Sequence, residues 1–275
     1  DSGLGAWIAD HVPYAQRGKI VGLTETAWAL GLLVGVSVMG LITAATNWRV
    51  GFIFAVLCLL VSTLSIFSRV TNHDKVAHQS HSSSPQRVTG NAWFVVATMF
   101  CIMSSAQNLF VTFGAWLEDE FQFGAARLAV AGFSLGLVEL VASVSSSRQT
   151  DKWGKEISIA FGALLIVPAG IMLNIGSRNF SIGIIAVFIY FLGFEFSVVS
   201  LLPLATSLVP NSPGTGLGWV LGAGTLGRAV MAIVATHLFE SYGVKGPALL
   251  GSMFGVIGAL LIMKYRSAHA KNYPR

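Results

Sequence analysis

Five polar residues lie inside long apolar stretches of this 275-residue chain, where their side chains could do chemistry: Gln107, Asn108, Glu139, Glu195 and Arg228. A charge at the centre of a membrane costs about 2.5–3.5 kcal/mol, so a charged group there should face a cavity or a partner. Carboxylates in such a place could bind and release a proton, and amides could contact a polar substrate. We therefore treat all five as candidates for proton or substrate coupling.

A packing role stands beside the coupling role for each of these residues. Glu139 could be a proton-titrating carboxylate or a cation contact, or it could be a structural acid held by hydrogen bonds. Gln107 and Asn108 could bind a polar ligand or join neighbouring helices.

A polar segment, SRQTDKWGKE at 147–156, separates two apolar stretches and contains Asp151, Lys152, Gly154 and Lys155. Its basic side chains could simply mark the cytoplasmic side of a membrane, because cytoplasmic loops are enriched in Lys and Arg.

Four glycines, Gly22, Gly31, Gly35 and Gly40, recur within one apolar stretch and form what we call the glycine run. Glycine inside a soluble helix costs about 1 kcal/mol relative to alanine, so four of them need a reason. In a membrane, small residues on one helix face allow a neighbouring helix to approach closely. With 3.6 residues per turn, positions 31, 35 and 40 are predicted to share such a face.

The elements that position these residues are predicted to be membrane-spanning helices. Apolar residues make up 54% of the chain, charged residues make up 11%, and the mean hydropathy is +0.71, which excludes an ordinary soluble domain. A span needs about 20 apolar residues. Eight stretches qualify, and the chain is predicted to be an all-α, polytopic transmembrane bundle. The stretches are roughly 20–44, 48–68, 92–116, 126–146, 157–176, 181–207, 215–238 and 246–264.

Charge placement predicts the orientation of the bundle. Most of the 17 Lys and Arg residues fall on the side that holds both termini, so that side is expected to be cytoplasmic. The lipid bilayer therefore accounts for the basic balance, and no nucleic-acid partner is expected. Histidines are scattered, and no nucleophile lies with a base, so an enzyme is not expected.

A polar, Ser- and His-rich segment, 70–90, is predicted to be a cytoplasmic linker between 1–69 and 91–275. Its histidines have no fixed ligand spacing, so neither a metal nor another cofactor is expected. The short apolar run 3–9 is too short to span a membrane. It is interpreted as the last turns of a helix whose beginning is missing, with an interfacial segment as the alternative.

The order of three motifs resembles that of the major facilitator superfamily. The glycine run resembles the antiporter motif of the fifth helix, with Val36 in place of its proline and Met39 in place of one glycine. Residues 147–156 resemble the loop motif between the second and third helices of each half. The Trp48-Arg49 pair resembles the start of the sixth helix.

This resemblance implies twelve helices in two six-helix halves, of which the chain covers the end of the fourth helix through the twelfth, with about eight complete spans. It also implies that Asp151, Lys152, Gly154 and Lys155 form a gating element. The helices of Glu195 and Arg228 would pack near each other, which makes a buried ion pair the alternative to coupling. The helix of Gln107 and Asn108 would line the cavity.

Glu139 and the run FLGFEFSVVSLLPL at 191–204 look most like drug/proton antiporters of the arabinose-efflux-permease type. The resemblance therefore implies alternating-access efflux of small drug-like molecules or sugars, driven by a proton gradient. A monomer in the plasma (inner) membrane is expected. An uptake permease for a small metabolite and a non-transporting truncated remnant are the alternatives.

Overall fold

The computed structural model describes residues 30–70, 88, 90–209 and 212–272, with the isolated residues 12, 20, 24 and 27. Within these ranges the regular structure is helical throughout. A π-helical segment, Gly31–Val36, leads into α1 (Ser37–Ala45), and the helices α2 (Trp48–Val70), α3 (Ala92–Phe110), α4 (Phe113–Phe121), α5 (Ala125–Trp153), α6 (Lys155–Gly176), α7 (Phe180–Ala205), α8 (Pro213–Tyr242) and α9 (Lys245–Asn272) follow.

The all-α membrane architecture predicted from the sequence is confirmed. Seven helices in the described residues are long and apolar enough to cross a membrane. The first of the eight predicted spans, 20–44, is described only in part, and its apolar helix Leu33–Ala45 is too short to qualify. Several helices extend past their apolar stretches; α5, for example, runs seven residues beyond the predicted end at 146 and stops at Trp153. Such helix ends are amphipathic or polar, so hydropathy alone underestimates the length of the helix.

The third span is interrupted near its far end, where α3 stops at Phe110 and α4 begins at Phe113. The hydroxyl of Thr112 donates to the carbonyl of Asn108 at 2.7 Å, and the Thr112 amide donates to Leu109 at 3.2 Å instead. A side-chain hydroxyl that competes for a helix carbonyl commonly bends or breaks the helix. Hydropathy predicted one span here, and α3 and α4 together form one candidate span, Ala92–Phe121.

The core of the described bundle forms where α3, α6, α7 and α9 meet. Tyr190 of α7 is fully buried, its hydroxyl lies 2.8 Å from Ser105 Oγ, and Ser105 Oγ donates to the carbonyl of Gly251 at 2.8 Å. These bonds join three helices where no water is available to replace them. By contrast, α2 packs against α1 and exposes most of its apolar side chains.

Paired glycines set the close approach of α6 and α7. A Cβ built on Gly162 would lie 2.6 Å from the carbonyl oxygen of Gly193, and a Cβ on Gly193 would lie 2.6 Å from that of Gly162. Because backbone atoms form both contacts, no side chain can rotate to make room.

Gly162→Ala is therefore expected to lower the free energy of unfolding by about 1–3 kcal/mol, the usual cost of overpacking a well-packed site. Gly222→Ala is the matched control, because Gly222 lies on α8 with open space around its Cβ position. That change should be neutral, or stabilising by at most about 1 kcal/mol. Unfolding temperatures in detergent micelles test the pair. Equal unfolding temperatures for both variants would contradict the glycine contact.

Candidate functional site

Glycines bring α8 against α3 and so place the first two site residues side by side. A Cβ on Gly227 would lie 2.6 Å from both the Phe100 carbonyl oxygen and Ser104 Oγ. At this close approach, Arg228 Nε donates a hydrogen bond to Gln107 Oε1 at 2.9 Å. Both side chains are half-buried.

A cluster of aromatic side chains lies beside the guanidinium group of Arg228. Arg228 Cζ lies 5.4 Å from the centroid of the Phe110 ring, within the range of a cation–π interaction. The Phe110 ring in turn packs against Phe191 and Phe194 of α7, at centroid distances of 4.6 and 5.8 Å. The half-buried cation therefore lies between an amide oxygen and an apolar aromatic surface.

Glu139 of α5 is fully buried, and its carboxylate interacts electrostatically with Arg228. At about 1.5 Å per residue, Gln107, Glu139 and Arg228 all lie about 21–22 Å from the same end of the bundle. We call that end, where α5 turns into α6, the basic end, because Lys152 and Lys155 flank the turn. The structure thus brings three of the five candidates together near mid-membrane.

The hydrogen bonds described for the other two candidates are to other groups. Glu195 of α7 is buried and accepts a hydrogen bond from Ser143 Oγ at 2.5 Å, one turn nearer the basic end than Glu139. Asn108 is also fully buried, and its amide donates to the carbonyl of Ser104 on its own helix at 2.8 Å. The predicted ion pair of Glu195 with Arg228 stays a prediction.

The 147–156 segment forms the turn between α5 and α6. Gly154 has a φ of +89°, which L side chains rarely adopt, so a glycine is required there. Lys152 is exposed and Lys155 is half-buried. Asp151 lies in the last turn of α5, and its side chain is outside the described part of the structure. A gating role for this segment stays a prediction.

The contacts of the glycine run differ along its length. Among the described residues, no atom lies within 4 Å of a Cβ built on Gly31 or Gly35, whereas a Cβ on Gly40 would lie 2.5 Å from Ala129 Cβ of α5. The segment Gly31–Val36 is π-helical, and its turn is wider than the 3.6 residues per turn on which the predicted shared face depends. Gly22 lies outside the described residues.

Glycines of α5 supply the close contact that the glycine run was expected to supply. A Cβ on Gly136 would lie 2.5 Å from the Leu33 backbone nitrogen, and a Cβ on Gly132 would lie 3.1 Å from Val36 Cγ1. The helix of Glu139 therefore packs closely against the π-helical segment.

Two residues that contact the candidate residues, Phe110 and Ser143, were not predicted from the sequence. Phe110 lies three residues after Gln107 and thus on the same helix face, a spacing that could have identified it. Ser143 lies four residues after Glu139 and could have been found in the same way. A hydroxyl or a phenyl ring inside an apolar helix is common, so neither residue stood out by type.

Known proteins resemble this chain over most of its length. A sequence profile of the Major Facilitator Superfamily matches residues 1–232. The uncharacterized MFS-type transporter YwfA of Bacillus subtilis is 25% identical over 93% of this chain and 64% of its own length. Multidrug resistance protein 1 of the same organism is 21% identical over 98% of this chain and 70% of its own length. The gentisate transporter of Corynebacterium glutamicum is 24% identical over 87% of this chain and 59% of its own length.

The chain therefore spans about two thirds of the length of these relatives. Among solved structures, the human organic anion transporter MFSD10 matches with a TM-score of 0.72 at 18% identity. The match covers 95% of this chain and 67% of that one, and it confirms the predicted membrane fold.

Proposed function

This chain belongs to the Major Facilitator Superfamily, and on that premise we propose that the protein carries a small organic anion across the membrane by proton-coupled alternating access. Family membership and the seven apolar helices make it an integral, multi-pass membrane protein, of a family of transporters and not of enzymes. We further propose that it acts as a monomer in the plasma (inner) membrane, driven by the proton gradient without a bound cofactor. Its basic end and both termini would lie in the cytoplasm, where Asp151 and its neighbours would gate access.

The half-buried guanidinium of Arg228 supports an anion as the substrate. Its planar, multi-donor group is suited to binding a carboxylate, and the low-polarity surroundings strengthen such a contact. The hydrogen bond to Gln107 and the ring of Phe110 hold the guanidinium in place. The same ring offers an apolar surface for the body of an aromatic or other amphipathic acid.

Charge balance between Glu139 and Arg228 supports movement of a proton together with the anion. Without substrate, the site holds one carboxylate and one guanidinium that attract each other. A substrate carboxylate at Arg228 places two anions near one cation, which is costly in a low-dielectric site. A proton bound to Glu139 removes that cost, so the loaded state carries one anion and one proton.

One relative carries a substrate of this chemistry. The protein from Corynebacterium glutamicum is named a gentisate transporter, and gentisate is an aromatic carboxylate. That name supports an aromatic acid as the substrate proposed for this chain.

Efflux in exchange for protons is the second candidate. It is favoured by the likeness of the glycine run to an antiporter motif and by the relative named multidrug resistance protein 1. In that case the substrate would be a drug-like molecule or a sugar, and its arrival would release the proton of Glu139.

Three ligands of matched shape test the substrate class: benzenesulfonate, an anion; benzenesulfonamide, which is neutral; and benzamidine, a cation. The protein expressed from its complete reading frame should bind benzenesulfonate at least about tenfold more tightly than benzenesulfonamide, since a hydrogen bond between charged groups contributes about 1.5–3 kcal/mol. Binding is measured calorimetrically in detergent micelles. Preference for benzamidine or for the neutral sulfonamide would reject an anionic substrate and favour the second candidate.

The direction of proton movement is tested in liposomes that enclose a pH-sensitive dye. Gentisate is added outside at equal pH, and protein-free liposomes correct for passive entry of the neutral acid. Cotransport predicts that protein-dependent gentisate entry acidifies the interior. Alkalinisation would instead demonstrate exchange for protons.

A further inference from the structure

A row of buried hydroxyl groups leads from Glu139 toward the basic end along α5. Ser143, Ser146 and Thr150 follow Glu139 by 4, 7 and 11 residues, a spacing that places all of them on one helix face. All three are buried. At about 1.5 Å per residue, the row runs from about 21 Å to about 5 Å from the basic end.

Side chains of α7 complete the row from the other side. Ser143 Oγ donates to Glu195 Oε1 at 2.5 Å. One to two turns nearer the basic end, Ser200 Oγ lies 2.9 Å from Ser146 Oγ and 2.8 Å from Thr150 Oγ1, and these two lie 3.2 Å apart. We call Ser143, Ser146, Thr150 and Ser200 the hydroxyl ladder.

We propose that the hydroxyl ladder and Glu195 form the proton path between Glu139 and the basic end of the bundle. The proposal rests on the proton coupling proposed above. A proton leaves the Glu139 carboxylic acid for Ser143 and then Glu195, and continues through Ser146 and Ser200 to Thr150. Each hydroxyl accepts one proton on its oxygen and gives its own to the next group, so no net charge remains on the ladder.

The step from Glu195 to Ser146 passes from α7 to α5, and the step from Glu139 to Ser143 crosses one turn of α5. Groups one turn apart on a helix are about 5–6 Å from each other, a gap that one water molecule bridges. The other steps follow the hydrogen bonds of the structure. Between α5 and α7, such a chain supplies the polar connection that a mid-membrane carboxylate requires to reach bulk water.

Among the described side chains outside the path, charged groups lie on some of the helices that pack against it. Arg228 of α8 lies at its inner end, where it interacts with Glu139. Lys155 and Glu156 begin α6 at its outer end. Neither α3 nor residues 31–45 contain a charged side chain.

The experiment compares two transport modes of the protein expressed from its complete reading frame in liposomes. Uptake of radiolabelled gentisate driven by a pH gradient requires a proton to leave the site in each cycle. Exchange of internal for external gentisate at equal pH does not. Ser146→Ala/Ser200→Ala should slow gradient-driven uptake by about 100-fold or more, because losing a positioned proton-transfer group typically costs 10²–10⁴-fold. Exchange should continue at the wild-type rate.

Ser197→Ala is the matched control. Ser197 is buried on α7 and donates to the carbonyls of Ile159 and Gly193, away from the ladder. It should leave both transport modes unchanged. The single variant Ser200→Thr keeps a hydroxyl and should retain most of the wild-type uptake. Its uptake should slow more in D2O than the uptake of the wild type does.

Each outcome decides between a path and a packing contact. If uptake and exchange fall together in the double variant, the ladder only holds α5 and α7 together, and the proposal is overturned. Unchanged uptake overturns it as well. If the wild-type protein shows no gradient-driven uptake while it still exchanges gentisate, proton coupling itself fails, and the path fails with it.

Discussion

Arg228→Gln is expected to weaken benzenesulfonate binding by about 100-fold or more and to abolish gentisate transport. Removing one partner of a buried charge pair costs about 3–5 kcal/mol, and each 1.4 kcal/mol is a factor of ten in affinity. Two effects contribute to this loss. The anionic group of the substrate loses its cation, and Glu139 stays buried without the guanidinium with which it interacts. Calorimetry in micelles and uptake in liposomes measure the two effects.

Arg228→Lys separates charge from shape. Lysine keeps the positive charge but cannot form the planar fork or lie flat over the Phe110 ring. Binding should fall by about tenfold, as expected for the loss of roughly 1–2 kcal/mol of cation–π and hydrogen-bond energy. A lysine variant with full affinity would mean that only the charge matters.

Arg127→Gln is the matched control for loss of an arginine. Its Cζ also lies 5.5 Å from a phenylalanine ring centroid, that of Phe123, but on an exposed part of α5. Binding and transport should be unchanged. The double variant Arg228→Gln/Glu139→Gln tests whether misfolding explains the loss, since it removes both members of the proposed charge pair. It should unfold at the wild-type temperature and still fail to bind the anion.

The membrane fold could be predicted from the sequence because hydropathy and helix length obey one simple geometric rule. About 20 apolar residues are needed to cross the hydrocarbon core, and α6 and α7 follow that rule closely. The interruption after Phe110 could not be predicted, because it depends on whether the Thr112 hydroxyl or a backbone amide bonds to the Asn108 carbonyl. Hydropathy does not depend on which of these two donors bonds to the carbonyl.

From the sequence, the site could be predicted only as a set of polar residues within membrane-spanning helices. Gln107, Glu139 and Arg228 were selected because polar groups in apolar helices are costly, and the structure brings them together. Which acid interacts with Arg228 depended on helix packing, and that is set by Gly224 and Gly227 against α3. Asn108 was selected by the same rule, yet a rotation of about 100° from Gln107 points it into the core.

The glycine run shows the limit of periodicity. Its spacing predicted a single packing face, which requires an unbroken α-helix from Gly31 to Gly40. The π-helical turn changes the rotation per residue, and the contact moves to Gly40 and to Gly132 and Gly136 of α5. The sequence of one helix could not reveal that its partner supplies the small residues.

Glu139→Gln is expected to separate transport from the proton gradient. Glutamine has nearly the same shape but cannot bind or release a proton, so the loaded state no longer needs one. Accumulation of gentisate driven by a pH gradient should fall by about 100-fold, the typical contribution of a proton-transfer group, while exchange at equal pH continues. Acidification of the liposome interior during gentisate entry should disappear.

Glu118→Gln controls for removal of an acid, because Glu118 is exposed near the end of α4 and far from Arg228. It should keep both gradient-driven uptake and exchange. A Glu139→Gln variant that still accumulates gentisate with the wild-type pH dependence would remove Glu139 from the coupling mechanism. Glu195, the other buried carboxylate, would then be the coupling group, and its hydrogen bond from Ser143 would place the proton one helical turn nearer the basic end. The comparison of Glu139→Gln with Glu195→Gln thus identifies which of the two acids responds to the charge of the substrate.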